Sequence, residues 1–201
     1  MNPINPEDAL RKDRAAARAA GDPNAELCWF ATLGDPEEDG TPVAVRTLVL
    51  RDLNPGWGLF FSDQSPKGLA LRRDPRLALA LWFPSLQRQW RLWGEARPLP
   101  EGLLDTHWPR KPRAAKLSDH VQSQLGQSQP VSGAALEAIQ AAITERFASV
   151  DDEALPRPDH ASGIRLSIYR MESLTLHRDA PHARQRFDRA ETGWRETPLV
   201  P

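Results

Sequence analysis

The sequence predicts a mainly β protein, a small antiparallel barrel with helices added to it. Three observations carry that expectation. Short apolar segments, alternating or β-branched, recur along the chain between clusters of turn residues. Nineteen prolines in 201 residues, close to twice the ordinary usage of roughly 5%, favour many short elements over long helices. Few helical patterns intervene between the strands, which suits a barrel better than alternating βα units.

Residues 6–20 (PEDALRKDRAAARAA) read as a helix, with acids in the first turn and Gly21 as its stop. Residues 25–33 read as a strand, closed by the turn-rich GDPEEDG over 34–40. Residues 42–50 (PVAVRTLVL) are β-branched and apolar on both faces, as in a strand covered on both sides. Asn54-Pro55-Gly56 makes a turn into a strand from Trp57 to Ser62. Ser65-Pro66-Lys67 opens a short helix, with serine as cap and proline at its first position, and Asp74-Pro75 ends it.

Residues 76–83 (RLALALWF) alternate large leucines with small alanines, which predicts a filled inner face against a crowded outer one. Residues 87–98 are the antiparallel partner across the turn at Pro84-Ser85. Trp82, Trp90 and Trp93 cluster in this hairpin and read as aromatic core. Residues 100–129 read as short helices and loops. Ser132 to Phe147 is an amphipathic helix with Leu136, Ile139, Ile143 and Phe147 on one stripe. DDEALPRPDHASG is a linker or surface loop, and strands over 164–176, 184–188 and 194–197 close the chain. The expected organisation is an N-terminal helical segment over 1–24 and one domain over 25–201, with a helical insertion over 100–150.

The bulk numbers remove several function classes. Charge is balanced, 26 basic against 27 acidic residues, so no global field favours nucleic acid. No run of about eighteen apolar residues exists to span a membrane as a helix. The first twenty residues contain acids and no apolar stretch, unlike a signal peptide, so a cytoplasmic location is expected. The single cysteine, Cys28, permits no internal disulfide and no thiolate cluster. The five histidines show no helical metal spacing, and no metal site is expected. GxGxxG, GxxxxGK[ST], HExxH and GxSxG are all absent.

What remains is an anion site. A helix N-terminus presents free N–H groups and partial positive charge, and Lys67 in that first turn opposes the helix dipole unless an anion is present. The competing reading is a capped surface helix with a solvated lysine. Arg46 sits within an apolar strand, and a charge there needs a partner, either a carboxylate or a bound anion. Gln89 shares a strand face with Arg91. It either points into a barrel wall, where it can hydrogen-bond a ring carbonyl or imide, or lies on a solvated edge.

The order of these pieces resembles the pyridoxamine 5'-phosphate oxidases and their FMN-binding split-barrel relatives, from about Ala25 onward. RTLVLR is similar to that family's R-x-V-L-L-K strand, and FFSDQSPKG to its F-Y-T-N-x-x-S-R-K-G. DPRLALALWFPSLQRQWRLWGEARPL, GQSQPVS, LPRP and ESLTLHRD follow in the family's order. The resemblance implies a six-stranded antiparallel split barrel and a homodimer with FMN at the subunit interface. It implies cofactor contacts from Arg46, Thr47, Arg51, Phe61, Ser62 and Lys67, with Gln89 facing the flavin ring. Gln127 and Ser128 would reach the flavin, from the partner chain.

The departures from the family pattern fall mainly on the substrate side. Arg51 stands where the family has lysine, and Pro66 where it has arginine. His107, Lys111 and Ala115 replace a tyrosine, an arginine and a serine that grip a substrate phosphate. Thr175 replaces a substrate arginine, Asp179 falls where a flavin-binding arginine stands, and His177 persists. Lys111 and His177 are the candidate substrate contacts, and no residue is assigned as a catalytic acid or base. The expectation is an FMN-binding oxidoreductase of this group acting on an unidentified small molecule. The alternatives are a genuine pyridoxamine/pyridoxine 5'-phosphate oxidase using O2, or a non-catalytic flavin-binding module.

Overall fold

The structure, a computed structural model, describes residues 5–34 and 43–201. Pro42 and most of the turn expected over 34–40 lie outside the described residues. The first described element is α1 (Pro6–Ala19), capped by the Asn5 side chain accepting from Glu7 N. Gly21, at φ 67, ends it in the left-handed conformation that glycine adopts without strain. The strands β1 (Leu27–Leu33), β2 (Val43–Val49), β3 (Arg51–Asp52) and β4 (Trp57–Ser62) follow, then α2 (Pro66–Arg73). Next come β5 (Arg76–Phe83), a 3-10 turn at Pro84–Leu86, and β6 (Arg88–Pro98). The helices α3 (Glu101–His107), α4 (Arg113–Leu125) and α5 (Gly133–Arg146) precede β7 (Ala161–Thr175), β8 (Ala183–Arg189) and β9 (Trp194–Leu199).

The strands run in the order β2-β1-β5-β6-β7-β4-β3, and β8 and β9 continue from β7. The described residues therefore form nine strands rather than six. The excess is the two-residue β3 and the added β8–β9 hairpin.

The described residues divide into two compact units, the first made of those within Met1–Leu59, Asp74–Arg97 and Arg165–Pro201, the second of Phe60–Arg73 and Pro98–Ile164. In the first unit β5 buries alternate residues, so Leu77, Leu79, Leu81 and Phe83 join Phe30, Leu92, Met171 and Phe187 in its core. Each fully buried side chain of this size contributes about 1.5–3 kcal/mol. Trp90 stacks on Phe187 with ring centroids 6.3 Å apart. Of the hairpin's three tryptophans it alone is core, because Trp82 and Trp93 lie on the opposite face and are half-buried. Gly94 lets β7 come close, since a Cβ there would lie 2.6 Å from Ser167 O.

Helix α1 belongs to this first unit. Arg14, 1% exposed, donates from Nε to Ala25 O (3.1 Å) and from Nη2 to Leu50 O (2.8 Å) and Glu26 Oε2 (2.8 Å). Its guanidinium also lies 5.2 Å from the centroid of the buried Trp57 ring.

The second unit packs Ile143, Phe147 and Leu155 with Leu117, Val121, Ile139 and Val150, so Ile139, Ile143 and Phe147 of the stripe take part while Leu136, half-buried, is not in this cluster. Two cations tie its loops. Arg113 donates to Phe147 O, Val150 O and Asp152, and the buried Lys116 ammonium to Pro109 O and Asp152 O. Burial pushes the Lys116 pKa below its ordinary value.

One expectation fails. β2 is not covered on both sides: Val43, Val45 and Val49 are 54%, 64% and 37% exposed. The strand stands at the end of the sheet order, and among the described residues no second layer covers its outward side chains.

Candidate functional site

In the second unit, the end of β4 and the start of α2 form a tight corner. Ser62 O accepts from Ser65 N (3.1 Å) and Ser65 Oγ (2.5 Å), and Ser65 Oγ in turn accepts from Gly68 N (3.3 Å), capping the helix as the sequence predicts. Ser62 Oγ accepts from Gln64 N (3.2 Å). Asp63 N donates to His160 O (2.9 Å), which ties the corner to the segment before β7. Gly68 is required, because a Cβ there would lie 2.3 Å from Asp63 O.

Lys67 is not a solvated lysine: it is 5% exposed. Its ammonium donates to Gln127 Oε1 at 2.8 Å and lies 5.3 Å from the Phe61 ring centroid. Gln127 and Ser128, expected to act from a partner chain, thus lie on the turn after α4, with Gln127 reaching Lys67 of its own chain. Gly126 (φ 75) and Ser128 (φ 62) are both left-handed in that turn. The corner joins a buried ammonium, two buried serines and a helix N-terminus, a set of groups suited to an anion.

In the first unit, Arg46 faces inward. It pairs across β1 with Phe30, donates from Nη1 to Thr32 Oγ1 (3.0 Å) and lies 5.8 Å from the Phe30 ring centroid. Thr47 projects to the other face and is exposed, and Arg51, half-buried, pairs with Gly58 in β3–β4.

The outer face of β1, β2, β5 and β6 carries an open groove of about 310 Å³. Ala31, Ala78 and Ala80 floor it, and Trp29, Val45, Gln89, Arg91 and Trp93 rise around them. The alternation in β5 therefore has the opposite meaning on its outer side. The alanines leave space there instead of crowding it. Gln89 does not point into the barrel interior, which Trp90 fills; it faces this groove. The Arg91 guanidinium lies 4.8 Å from the Trp93 ring centroid and 3.7 Å from Glu172 Oε2, which also accepts from Arg184 Nη2 (2.8 Å). Sequence reading missed Trp29, Val45 and Glu172 here. The signal available was the pair of alanines opposite the leucines.

The candidate substrate residues lie in different units. Lys111, in the second, is ion-paired with Asp119 and lies 5.5 Å from the Trp108 ring centroid. His177, in the first, is exposed, and its backbone N donates to His182 Nδ1 (3.2 Å). Among the described residues no group of histidine, cysteine and carboxylate side chains could hold a metal ion, and no helix is long and apolar enough to cross a membrane.

No family model matches the chain. Whole-sequence comparison does find relatives. A pyridoxine/pyridoxamine 5'-phosphate oxidase of Caulobacter vibrioides (strain NA1000 / CB15N) is 30% identical over 193 residues, spanning 94% of this chain and 81% of the relative. The chain belongs to the pyridoxamine 5'-phosphate oxidase family. A second such oxidase, of Myxococcus xanthus (strain DK1622), is 30% identical over 190 residues, covering 94% of this chain and 87% of its own.

Two solved structures show the family's split-barrel fold over the whole chain. PhzG from Burkholderia lata 383, in complex with tetrahydrophenazine-1-carboxylic acid, gives a TM-score of 0.82 at 24% identity and is covered over 94% of its length. A pyridoxamine 5'-phosphate oxidase-related, FMN binding protein from Nostoc punctiforme PCC 73102 gives 0.77 at 16% identity and is covered completely. This chain is a divergent member of the family.

Proposed function

We propose that the chain binds FMN and works as an FMN-dependent oxidoreductase of the pyridoxamine 5'-phosphate oxidase group. The observation that carries this reading is Lys67, an ammonium held almost out of water at the capped start of α2. The buried ammonium and the helix N-terminus beside it both place positive charge in this corner and favour a negative ligand over another cation. A phosphate fits that demand. In this reading Ser62, Phe61 and Lys67 serve the cofactor's phosphate, with contacts from Arg46, Thr47 and Arg51. Gln89 meets the flavin ring from the groove, and Gln127 and Ser128 add contacts. The bound flavin would supply hydride acceptance, while the protein positions it and excludes water.

The uncovered valines of β2, beside the groove, support a homodimer in which a second copy covers that face. Lys111, with its charge met by Asp119, supports a small-molecule substrate other than pyridoxamine phosphate, because a phosphate ester there would have to compete with that carboxylate for the ammonium. The names and 30% identity of the two oxidase relatives favour the second reading, a genuine pyridoxine/pyridoxamine 5'-phosphate oxidase. It requires flavin-bound protein to convert pyridoxamine phosphate with release of hydrogen peroxide.

The test is FMN titration of the purified protein and two variants. Lys67→Glu weakens binding by at least about tenfold, the loss of a charge-assisted contact of roughly 1.5–3 kcal/mol. Arg72→Glu, at an exposed position of the same helix, changes it little. Equal effects, or a colourless wild type that ignores added FMN, refute the reading.

A further inference from the structure

We propose that Asp13 is a positioning residue for the groove, setting the strand that carries Gln89 through its hold on Arg88 and Trp90. Its consequence for the cofactor rests on the flavin reading above; the hold itself does not. Asp13 lies in α1, far from the groove in sequence. One of its carboxylate oxygens, Oδ2, accepts from Trp90 Nε1 at 2.8 Å and from Arg88 Nη1 at 3.2 Å. These two donors belong to the residues on either side of Gln89.

The geometry follows from strand alternation. Arg88 and Trp90 project to one face of β6 and Gln89 to the other. Pinning both neighbours fixes the pleat between them, and with it the direction in which the Gln89 side chain leaves the backbone. Trp90 is 1% exposed, so little water is at hand to replace Asp13 as acceptor for its indole N–H. The carboxylate also balances the Arg88 charge. The backbone is held as well: Gln87 O accepts from Leu176 N (2.9 Å), and across β5 Gln89 pairs with Trp82 and Trp90 with Leu81. Gln89 is thus aimed by an aspartate that itself faces the other side of the sheet.

The experiment compares Asp13→Ala, which removes the acceptor, with Asp13→Asn, which keeps one for Trp90. In cofactor-free protein, amide hydrogen exchange at residues 88–91 rises about tenfold in Asp13→Ala and much less in Asp13→Asn, with α1 amides unchanged. FMN titrations are then run on wild type, Asp13→Ala, Gln89→Ala and the double variant. Asp13→Ala weakens FMN about three- to tenfold and shifts the bound flavin's long-wavelength absorption band in the direction that Gln89→Ala does. In the Gln89→Ala background it adds nothing, the signature of two residues acting as one unit. Unchanged exchange at 88–91, or equal exchange in the two Asp13 variants, overturns the hold. An equal loss of FMN affinity with and without Gln89 overturns the positioning role. A wild type that binds no FMN sinks the flavin reading and leaves the exchange measurement to decide the hold alone.

Discussion

Replacing Arg14 by alanine tests what fastens α1 to the first unit. The side chain is 1% exposed and holds three acceptors, of which Ala25 O and Leu50 O lie in buried surroundings and Glu26 is part-exposed. Alanine leaves both carbonyls without that donor, at about 1–3 kcal/mol each, and removes the guanidinium from the Trp57 face. The Glu26 carboxylate, 42% exposed, is rehydrated at little cost. The expected loss is about 3–4 kcal/mol, the range found when one partner of a buried polar set is removed. For a chain of this size that lowers Tm by about 6–16 °C.

Arg11→Ala is the control. Arg11 lies 4.9 Å from the same Trp57 ring, but it is one-quarter exposed and its partners Asp8 and Asp52 are more open, so it costs under about 1 kcal/mol. Urea unfolding followed by tryptophan fluorescence measures both. The midpoint shifts carry the result provided the slope stays constant. An Arg14→Ala loss no greater than that of Arg11→Ala would refute the claim that the buried carbonyls need this donor.

Three further outcomes are expected. Burial pushes the Cys28 thiol up to about 12, so in native protein at mildly alkaline pH it resists a disulfide-exchange reagent and reacts only when denaturant is added. Burial opposes ionisation of Asp22, but the Ser85 hydroxyl and amide with the Asn24 amide outweigh it and hold the pKa below the ordinary carboxylate value. A depressed pKa stabilises the fold above the unfolded value of about 3.9 and loses that contribution as pH falls through the folded one. The stability deficit of Ser85→Ala, measured by urea unfolding across a pH series, should therefore shrink below about pH 4; a constant deficit refutes it. Gly68→Ala places a methyl against the Asp63 backbone and should cost about 1–3 kcal/mol in thermal unfolding; under the proposed flavin reading it also reduces FMN affinity, because the corner that presents Lys67 must open.

The sequence by itself determined most of the elements and the family. The leucine–alanine alternation of Arg76–Phe83 gives β5 its bounds, and Ser65-Pro66 caps α2 as it reads, because period and capping depend on residues within a few positions of each other. Alternation also showed that Gln89 and Arg91 share one face and Trp90 the other. It could not say which face is interior, since that depends on the neighbouring strands and on what covers them.

Only the tertiary structure decided that Ala78 and Ala80 floor an open groove, that β2 lies uncovered on one side, and that Gln89 faces outward. The same holds for polar partners. Lys67 meets Gln127 sixty residues on, Trp90 meets Asp13 across 77, and Arg46 meets Thr32 in the neighbouring strand. Such pairings are set by chain closure over long separations. A local pattern can mark a residue as needing a partner without naming which one.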